Sequence, residues 1–360
     1  MSRPATVHLI AAARPNFMKV APLWHALKAT DDFTPLIVHT GQHYDAAMSD
    51  IFFEQLAIPQ PDVNLGVGSG THSVQTAEVM KRLEPVIVER TPDWVLVYGD
   101  VNSTVAAALV SAKLRVRVAH VEAGLRSRDR SMPEEINRLV TDQLADLLFT
   151  PSDDGDANLL AEGIPRQRIR LVGNVMIDTL IRLRASADQA WPSLRDRHQL
   201  DRYLLLTLHR PSNVDDPKKL LPIVETLAEI SRELRVFFPV HPRTREALTV
   251  LRFTPPPSFV FLEPLAYIEF LALQAHAAGV ITDSGGIQEE TTFLGVPCLT
   301  MRENTERPVT VSIGTNELIG NDLVRLRDEV RAITEGRGKR GDIPPLWDGH
   351  AAERIAEALT

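Results

Sequence analysis

The sequence predicts an α/β protein built from two Rossmann-like, doubly wound domains. Three observations lead there. Short apolar runs alternate with helix-patterned segments along nearly all of the 360 residues. The runs are continuously apolar, which suits strands buried on both faces of a parallel sheet. They fall into two series of about five, separated by a strand-poor stretch, and the chain is long enough for two cores.

In the first series the predicted strands are Val7–Ala12, Leu36–Thr40, Trp94–Tyr98, Arg117–Val121 and Leu147–Thr150. Helices are expected over Val20–Ala29, Val74–Glu89 and Thr104–Lys113. The stretch Met176–Leu200 is charged and helical in pattern, through Leu180, Leu183, Trp191 and Leu194, and is expected to connect the domains. The second series comprises Tyr203–Thr207, Val236–Val240, Phe259–Leu262, Val280–Thr282 and Pro297–Met301, with helices Leu220–Leu234 and Gly286–Leu294. A Pro/Gly-rich segment, Gly341–Gly349, precedes a short amphipathic helix, Ala351–Leu359. The expected organisation is an N-terminal domain over 1–175 joined by the terminal helix 350–360, a connection over 176–200, and a C-terminal domain over 201–349. Strand–helix–strand order in each series implies right-handed crossovers.

Composition removes several function classes. A net charge of −8 argues against a nucleic-acid partner held by bulk positive charge. The single cysteine, Cys298, excludes an intrachain disulfide and a Cys-based zinc site. No run of about 18 uncharged apolar residues is present to span a membrane, and no secretory leader is recognisable, so the chain reads as soluble and cytoplasmic. The eleven histidines show no HExxH or similar ligand spacing. A GxGxxG near the N-terminus and a GxxxxGK[ST] are also missing, so neither a metal nor a dinucleotide or other cofactor is expected.

Ligands of open α/β sheets bind beyond the carboxyl ends of the strands, so the residues following each run carry the functional information. Two such domains facing each other would put both sets of strand ends around one cleft. After the first strand comes Ala13-Arg14-Pro15-Asn16-Phe17-Met18-Lys19, with Lys19 expected in the first turn of a helix, where a cation opposes the dipole. An anionic ligand at Arg14 and Lys19 would resolve that conflict; a solvated basic loop is the alternative. Asp100, in Gly99-Asp100-Val101-Asn102, follows a buried strand, either as a helix N-cap or as a functional carboxylate. Glu122 follows a strand containing His120, a costly place for a carboxylate unless it is paired or functional. Glu134, after Pro133 and four residues before Arg138, also suits a helix start for dipole reasons alone. Three carboxylates converging on a cleft would supply proton transfer.

In the second half, His209 follows a strand, as a functional group or a satisfied core histidine, and His241 repeats the placement. The motif Thr282-Asp283-Ser284-Gly285-Gly286-Ile287-Gln288-Glu289-Glu290 runs a strand into a Ser-Gly-Gly turn and then a helix. Backbone N–H groups at the positive helix end and the Ser284 hydroxyl suit a phosphate, and Glu290 suits ribose hydroxyls; a tight βα turn is the bland reading. Arg307, in Asn304-Thr305-Glu306-Arg307-Pro308, adds a cation and favours a nucleotide diphosphate site.

Together these residues resemble one family, the non-hydrolysing UDP-N-acetylglucosamine 2-epimerases of GT-B fold. The segments that carry the resemblance are Gly99-Asp100, His120 to Arg126, Pro133 to Arg138, Thr282 to Glu290 and Thr305 to Pro308, in matching order and spacing. The resemblance implies elimination of UDP across C1–C2 to a 2-acetamidoglucal, then re-addition with C2 protonated on the opposite face. It implies Asp100, Glu122 and Glu134 as the acid/base carboxylates and His209 as the group that steadies the departing diphosphate. Arg14, Lys19, Arg138, His241, Ser284, Gly285, Gly286, Glu290 and Arg307 would bind substrate, and the assembly would be a homodimer. A hydrolysing epimerase releasing N-acetylmannosamine, or a GT-B glycosyltransferase, are the alternatives. The chain departs from the family pattern at Asn16, Phe17 and Met18. It also carries Asp45 three residues after Gln42, Thr71 near a family arginine, and Val309 after the Thr-Glu-Arg-Pro motif. These departures bear on allosteric activation by a second substrate molecule and on the sugar more than on the chemistry.

Overall fold

Strands form where apolar runs allow both faces to be buried. The computed structural model describes residues 3–12, 14–41 and 53–360. They divide into two compact units, residues 1–179 with 345–360, and residues 180–344.

The first unit holds seven strands: β1 (Ala5–Ala11), β2 (Phe33–His39), β3 (Val63–Asn64), β4 (Trp94–Tyr98), β5 (Arg117–Val121), β6 (Leu147–Thr150) and β7 (Ile169–Leu171). All described pairings are parallel, in the order β3-β2-β1-β4-β5-β6-β7. Every residue of β4 is buried, as the unbroken apolar run requires. Short β3 and β7, which the apolar pattern does not reveal, form the two edges. Short edge strands limit unwanted pairing.

The second unit holds β8 (Tyr203–Thr207), β9 (Arg235–Pro239), β10 (Phe259–Leu262), β11 (Gly279–Thr282), β12 (Cys298–Thr300) and β13 (Asn316–Leu318), parallel in the order β10-β9-β8-β11-β12-β13. Alternate residues of one strand feed cores on opposite faces of this sheet. Leu204 and Leu206 of β8 join Val236, Phe238 and Ile281 in one cluster. Tyr203 and Leu205 join Phe237 and Val280 in the other.

The helix after β1 spans Arg14–Lys28, six residues earlier than the apolar pattern suggests. Pro15 is tolerated in a first turn because its missing N–H has no intrahelical partner there. Lys19 consequently lies in the second turn, not the first. Helix Val175–His198 covers the expected connection, beginning in the first unit and continuing into the second. The terminal helix Ala351–Leu359 packs on Arg14–Lys28 within the first unit. Asp178 accepts from the N–H groups of Ala351 (3.2 Å) and Ala352 (2.7 Å), and Trp347 Nε1 donates to the Pro151 carbonyl at 2.9 Å. No described helix is long and apolar enough to cross a membrane.

Candidate functional site

In each sheet the strand order reverses once, between β1 and β4 in the first unit and between β8 and β11 in the second. Crossovers leave to opposite faces at such a point and open a crevice beyond the carboxyl ends. The sequence-derived residues follow these strands, or the strands next to them.

In the first unit, Gly99 ends β4 with φ +61°, a left-handed turn suited to glycine. A Cβ there would stand 3.0 Å from Lys19 Nζ and 3.3 Å from Glu122 Oε2. Lys19 and Glu122 themselves form an ion pair, with side chains only 14% and 7% exposed. The dipole conflict inferred for Lys19 is thus met, in part, by a carboxylate of the protein. Asp100 pairs with Arg138, and its carbonyl accepts from Asn137 Nδ2 at 2.8 Å. Asp100 is not a helix cap: the cap of helix Asn102–Lys113 is Val101, which makes no side-chain capping bond.

Glu134 lies in the first turn of helix Pro133–Leu144, half-buried and without a hydrogen-bond partner among the described residues. Its neighbour Glu135, which sequence reasoning passed over, is buried and heavily bonded. It accepts from the N–H groups of Ser127 and Arg128 (both 2.9 Å), from Ser127 Oγ (3.0 Å) and from Arg138 Nη1 (2.7 Å). Burial alone would push this carboxyl up; the four donors outweigh it and hold it below the usual range. Arg138 is therefore gripped by Glu135 on one side and presents its other nitrogen to Asp100.

In the second unit, His209 leaves half of its side chain exposed, which rules out the core-histidine alternative. Its Nδ1 lies 3.0 Å from Asp283 Oδ1. Asp283 is fully buried and also accepts from the N–H groups of His209 (3.1 Å) and Arg210 (2.9 Å) and from Asn213 Nδ2 (3.1 Å). Burial would raise this carboxyl, but the bond to and charge of His209, with the other donors, hold it below its ordinary value. An ionised Asp283 holds the ring through Nδ1 and so sets its orientation.

Helix Gly285–Leu294 starts at Ser284, whose hydroxyl makes no capping bond. The hydroxyl and the N–H groups of Gly285 and Gly286 mark the positive end of this helix. Arg307 lies against Gly285, where any Cβ would overlap the guanidinium. It is held by Glu289 at 2.9 Å, near Glu306, which pairs with Arg302 at 2.7 Å and with Arg210 at 3.4 Å. Glu290 is buried. Tyr267 donates to its Oε1 at 2.8 Å, and burial pushes its carboxyl up to about 7. His241 is exposed just after β9, at the start of helix Pro242–Val250.

The side chain of Arg14, and the positions Ala13, Gln42 and Asp45, lie outside the described residues. Thr71 acts as the cap of helix His72–Arg90, accepting from Val74 N–H at 3.4 Å. Among the described residues no group of three or more His, Cys, Asp or Glu could hold a metal ion.

Two parallel sheets, carboxylate–cation pairs at one switch point, and an Asp-oriented histidine beside a Ser-Gly-Gly helix start at the other define a nucleotide-sugar enzyme of the GT-B-like class. A family model described as UDP-N-acetylglucosamine 2-epimerase matches residues 25–360. A UDP-N-acetylglucosamine 2-epimerase of Methanocaldococcus jannaschii is 41% identical over 98% of each chain. A UDP-2,3-diacetamido-2,3-dideoxy-D-glucuronate 2-epimerase of Pseudomonas aeruginosa is 42% identical over 97% of this chain and 98% of its own. A crystal structure of the M. jannaschii enzyme in complex with UDP-GlcNAc and UDP superposes with a TM-score of 0.90 at 40% identity, covering 98% of this chain and 99% of that one. The chain belongs to the UDP-N-acetylglucosamine 2-epimerase family and is an isomerase of nucleotide sugars.

Proposed function

We propose that the enzyme inverts C2 of a UDP-linked N-acetylhexosamine without hydrolysis, by eliminating UDP and adding it back through a 2-acetamidoglucal. The observation that carries this reading is the set of three carboxylates beyond the first unit's strands, two on cations and one without a hydrogen-bonded partner among the described residues. The C2 hydrogen has no adjacent carbonyl to acidify it, so departure of the diphosphate must drive its removal, and a base and an acid are needed on opposite faces of C2. Asp100, Glu122 and Glu134 take those parts. Lys19 and Arg138 pair with Glu122 and Asp100 at rest, and Arg14 with Lys19 adds positive charge for the anion. His209, held by Asp283, stabilises charge growing on the departing diphosphate. Ser284, Gly285 and Gly286 receive phosphate at the helix start, with Arg307 supporting that turn, His241 beside it and Glu290 serving the ribose. The P. aeruginosa relative supports a second sugar, a 2,3-diacetamido-uronate, on the same chemistry.

The test is an NMR time course in D2O with UDP-GlcNAc and, separately, the diacetamido-uronate nucleotide. The expected result is the C2 epimer still attached to UDP, with deuterium at C2 of product and of recovered substrate. Free N-acetylmannosamine with stoichiometric UDP would show a hydrolysing enzyme instead, and a product that appears only with an added acceptor would show a glycosyltransferase. A homodimer is inferred on the resemblance alone, and light scattering at micromolar protein tests it.

A further inference from the structure

One buried ionisable group has no part in the chemistry proposed above. His120 lies within β5, fully enclosed, as is Asp142 of helix Pro133–Leu144. His120 Nε2 is 2.8 Å from the carbonyl oxygen of Gly99, and Nδ1 is 2.6 Å from Asp142 Oδ1. A carbonyl oxygen only accepts, so Nε2 carries a proton. Asp142 also receives Arg126 at 2.7 Å and the Gly124 N–H at 3.2 Å. Burial would raise the Asp142 carboxyl, yet the His120 and Arg126 charges and bonds hold it below its ordinary value, so it is ionised. The ring bridges the Gly99 carbonyl and the Asp142 carboxylate.

We propose that His120 and Asp142 form a buried hydrogen-bonded clamp that positions the two turns bearing Asp100 and Glu122 for epimerisation. At one end the clamp holds Gly99, the residue before Asp100, where an added Cβ would crowd the Lys19–Glu122 pair. At the other it holds Gly124, two residues beyond Glu122, where the N–H groups of Glu122 and Ala123 both donate to the Phe149 carbonyl (3.1 and 3.0 Å). Asp142 also shares a helix face with Glu134 and Arg138, since positions four apart stack along one side. One helix thereby sets all three carboxylates relative to one another. A glutamine in place of His120 would turn an oxygen toward one of the two acceptors and release one turn. A misplacement of about 1 Å costs on the order of 100-fold in rate. His120 and Asp142 are positioning residues, and the proposal rests on the roles given above to Asp100 and Glu122.

Two measurements test it. In the 15N-labelled wild-type protein, the His120 ring should show a slowly exchanging N–H proton, assigned by its loss in H120Q. A ring N–H that exchanges as fast as that of an exposed histidine overturns the clamp, and this arm does not depend on the reaction. In kinetics, H120Q and D142N should each lower kcat on the order of 10- to 100-fold, with deuterium wash-in at C2 slowed in step. KM and UDP affinity should stay within about twofold, the pattern of a lost transition-state arrangement. Near-normal kcat, or a loss confined to KM and UDP affinity, overturns the proposal. If H120Q does not fold, D142N carries the kinetic arm. A wild-type protein that epimerises no UDP-N-acetylhexosamine would defeat the functional reading, while the ring spectrum still decides whether the clamp exists.

Discussion

Removing Lys19 alone should cost more than removing both members of the Lys19–Glu122 pair. The pair lies at 14% and 7% side-chain exposure, so each charge is largely shielded from water. Breaking a fully buried pair from one side costs about 3–5 kcal/mol, because the remaining charge stays desolvated. Lys19→Met leaves the less exposed partner behind, and residual solvent lowers the expected cost to about 2–3 kcal/mol. Glu122→Gln leaves an ammonium on a flexible stem that can reach water, for about 1 kcal/mol. The double variant strands no charge and should also cost about 1 kcal/mol, giving a coupling of about 2 kcal/mol between the sites. Urea titrations of the four proteins at pH 7, with m-values checked for constancy, measure it. Additive losses, within about 0.5 kcal/mol, would refute the view that the two charges hold each other in a dry site.

Three further perturbations have defined outcomes. Glu290, raised to about 7 by burial, binds a proton where the unfolded carboxyl (ordinary value 4.5) has lost it. Its contribution to stability is therefore full below about pH 4.5 and fades as pH rises through 7. Relative to Glu290→Gln, wild-type urea stability should fall by at most about 3 kcal/mol across that window, and parallel curves for the two would show the carboxyl is not buried as described. Asp283→Asn removes the carboxylate that orients His209 and receives two backbone N–H groups, so UDP affinity by calorimetry should drop roughly tenfold while stability falls by about 2 kcal/mol. Unchanged UDP affinity would disconnect His209 from the diphosphate. Gly124→Ala places a Cβ 2.5 Å from the Gly155 carbonyl oxygen at φ +79°, backbone against backbone, and should cost at least about 3 kcal/mol. A melting temperature within a few degrees of wild type would contradict that packing.

The central strands were legible because burial on both faces leaves an unbroken apolar run, and Trp94–Tyr98, Arg117–Val121 and Tyr203–Thr207 match residue for residue. Val63–Asn64 and Asn316–Leu318 were not, since two or three residues at a sheet edge carry no periodicity. The start at Arg14 was missed because the first turn, Arg-Pro-Asn-Phe, has no apolar repeat to announce it.

Of the site, residues directly after strands could be read, because the fold itself points there. Their supports could not. Asp283 was visible within a motif, but nothing in the sequence ties it to His209, seventy-four positions away. Asp142 and Glu135 look like ordinary acids on an amphipathic helix until the helix is docked. A signal did exist in retrospect: Glu134, Arg138 and Asp142 repeat every four residues on one face, an arrangement of charge that a solvated helix does not need toward its core. Glu290 could be read from its position one turn into the helix, but its bond to Tyr267 could not.

Backbone strain gives an argument for Glu122 that does not pass through any resemblance. Its φ of +71° places a bulky L-residue in the left-handed region, at a cost of about 1–2 kcal/mol. Several other non-glycine residues share that conformation, but Thr91, Arg115, Gln199 and Arg252 follow helices, where a left-handed residue closes the last turn. Glu122 follows a strand, so no helix closure accounts for it. The turn is over-determined by its surroundings: two N–H groups converge on Phe149, Asp142 receives Gly124, and the Gly124 backbone meets that of Gly155. A glycine at 122 would satisfy the same backbone without strain, and it would leave Lys19 without the carboxylate that this conformation delivers to it. Strain retained where a simpler residue would relieve it points to the side chain as the reason. For Glu122 that side chain is the carboxylate beside Gly99 that meets Lys19, where the proposed chemistry calls for one.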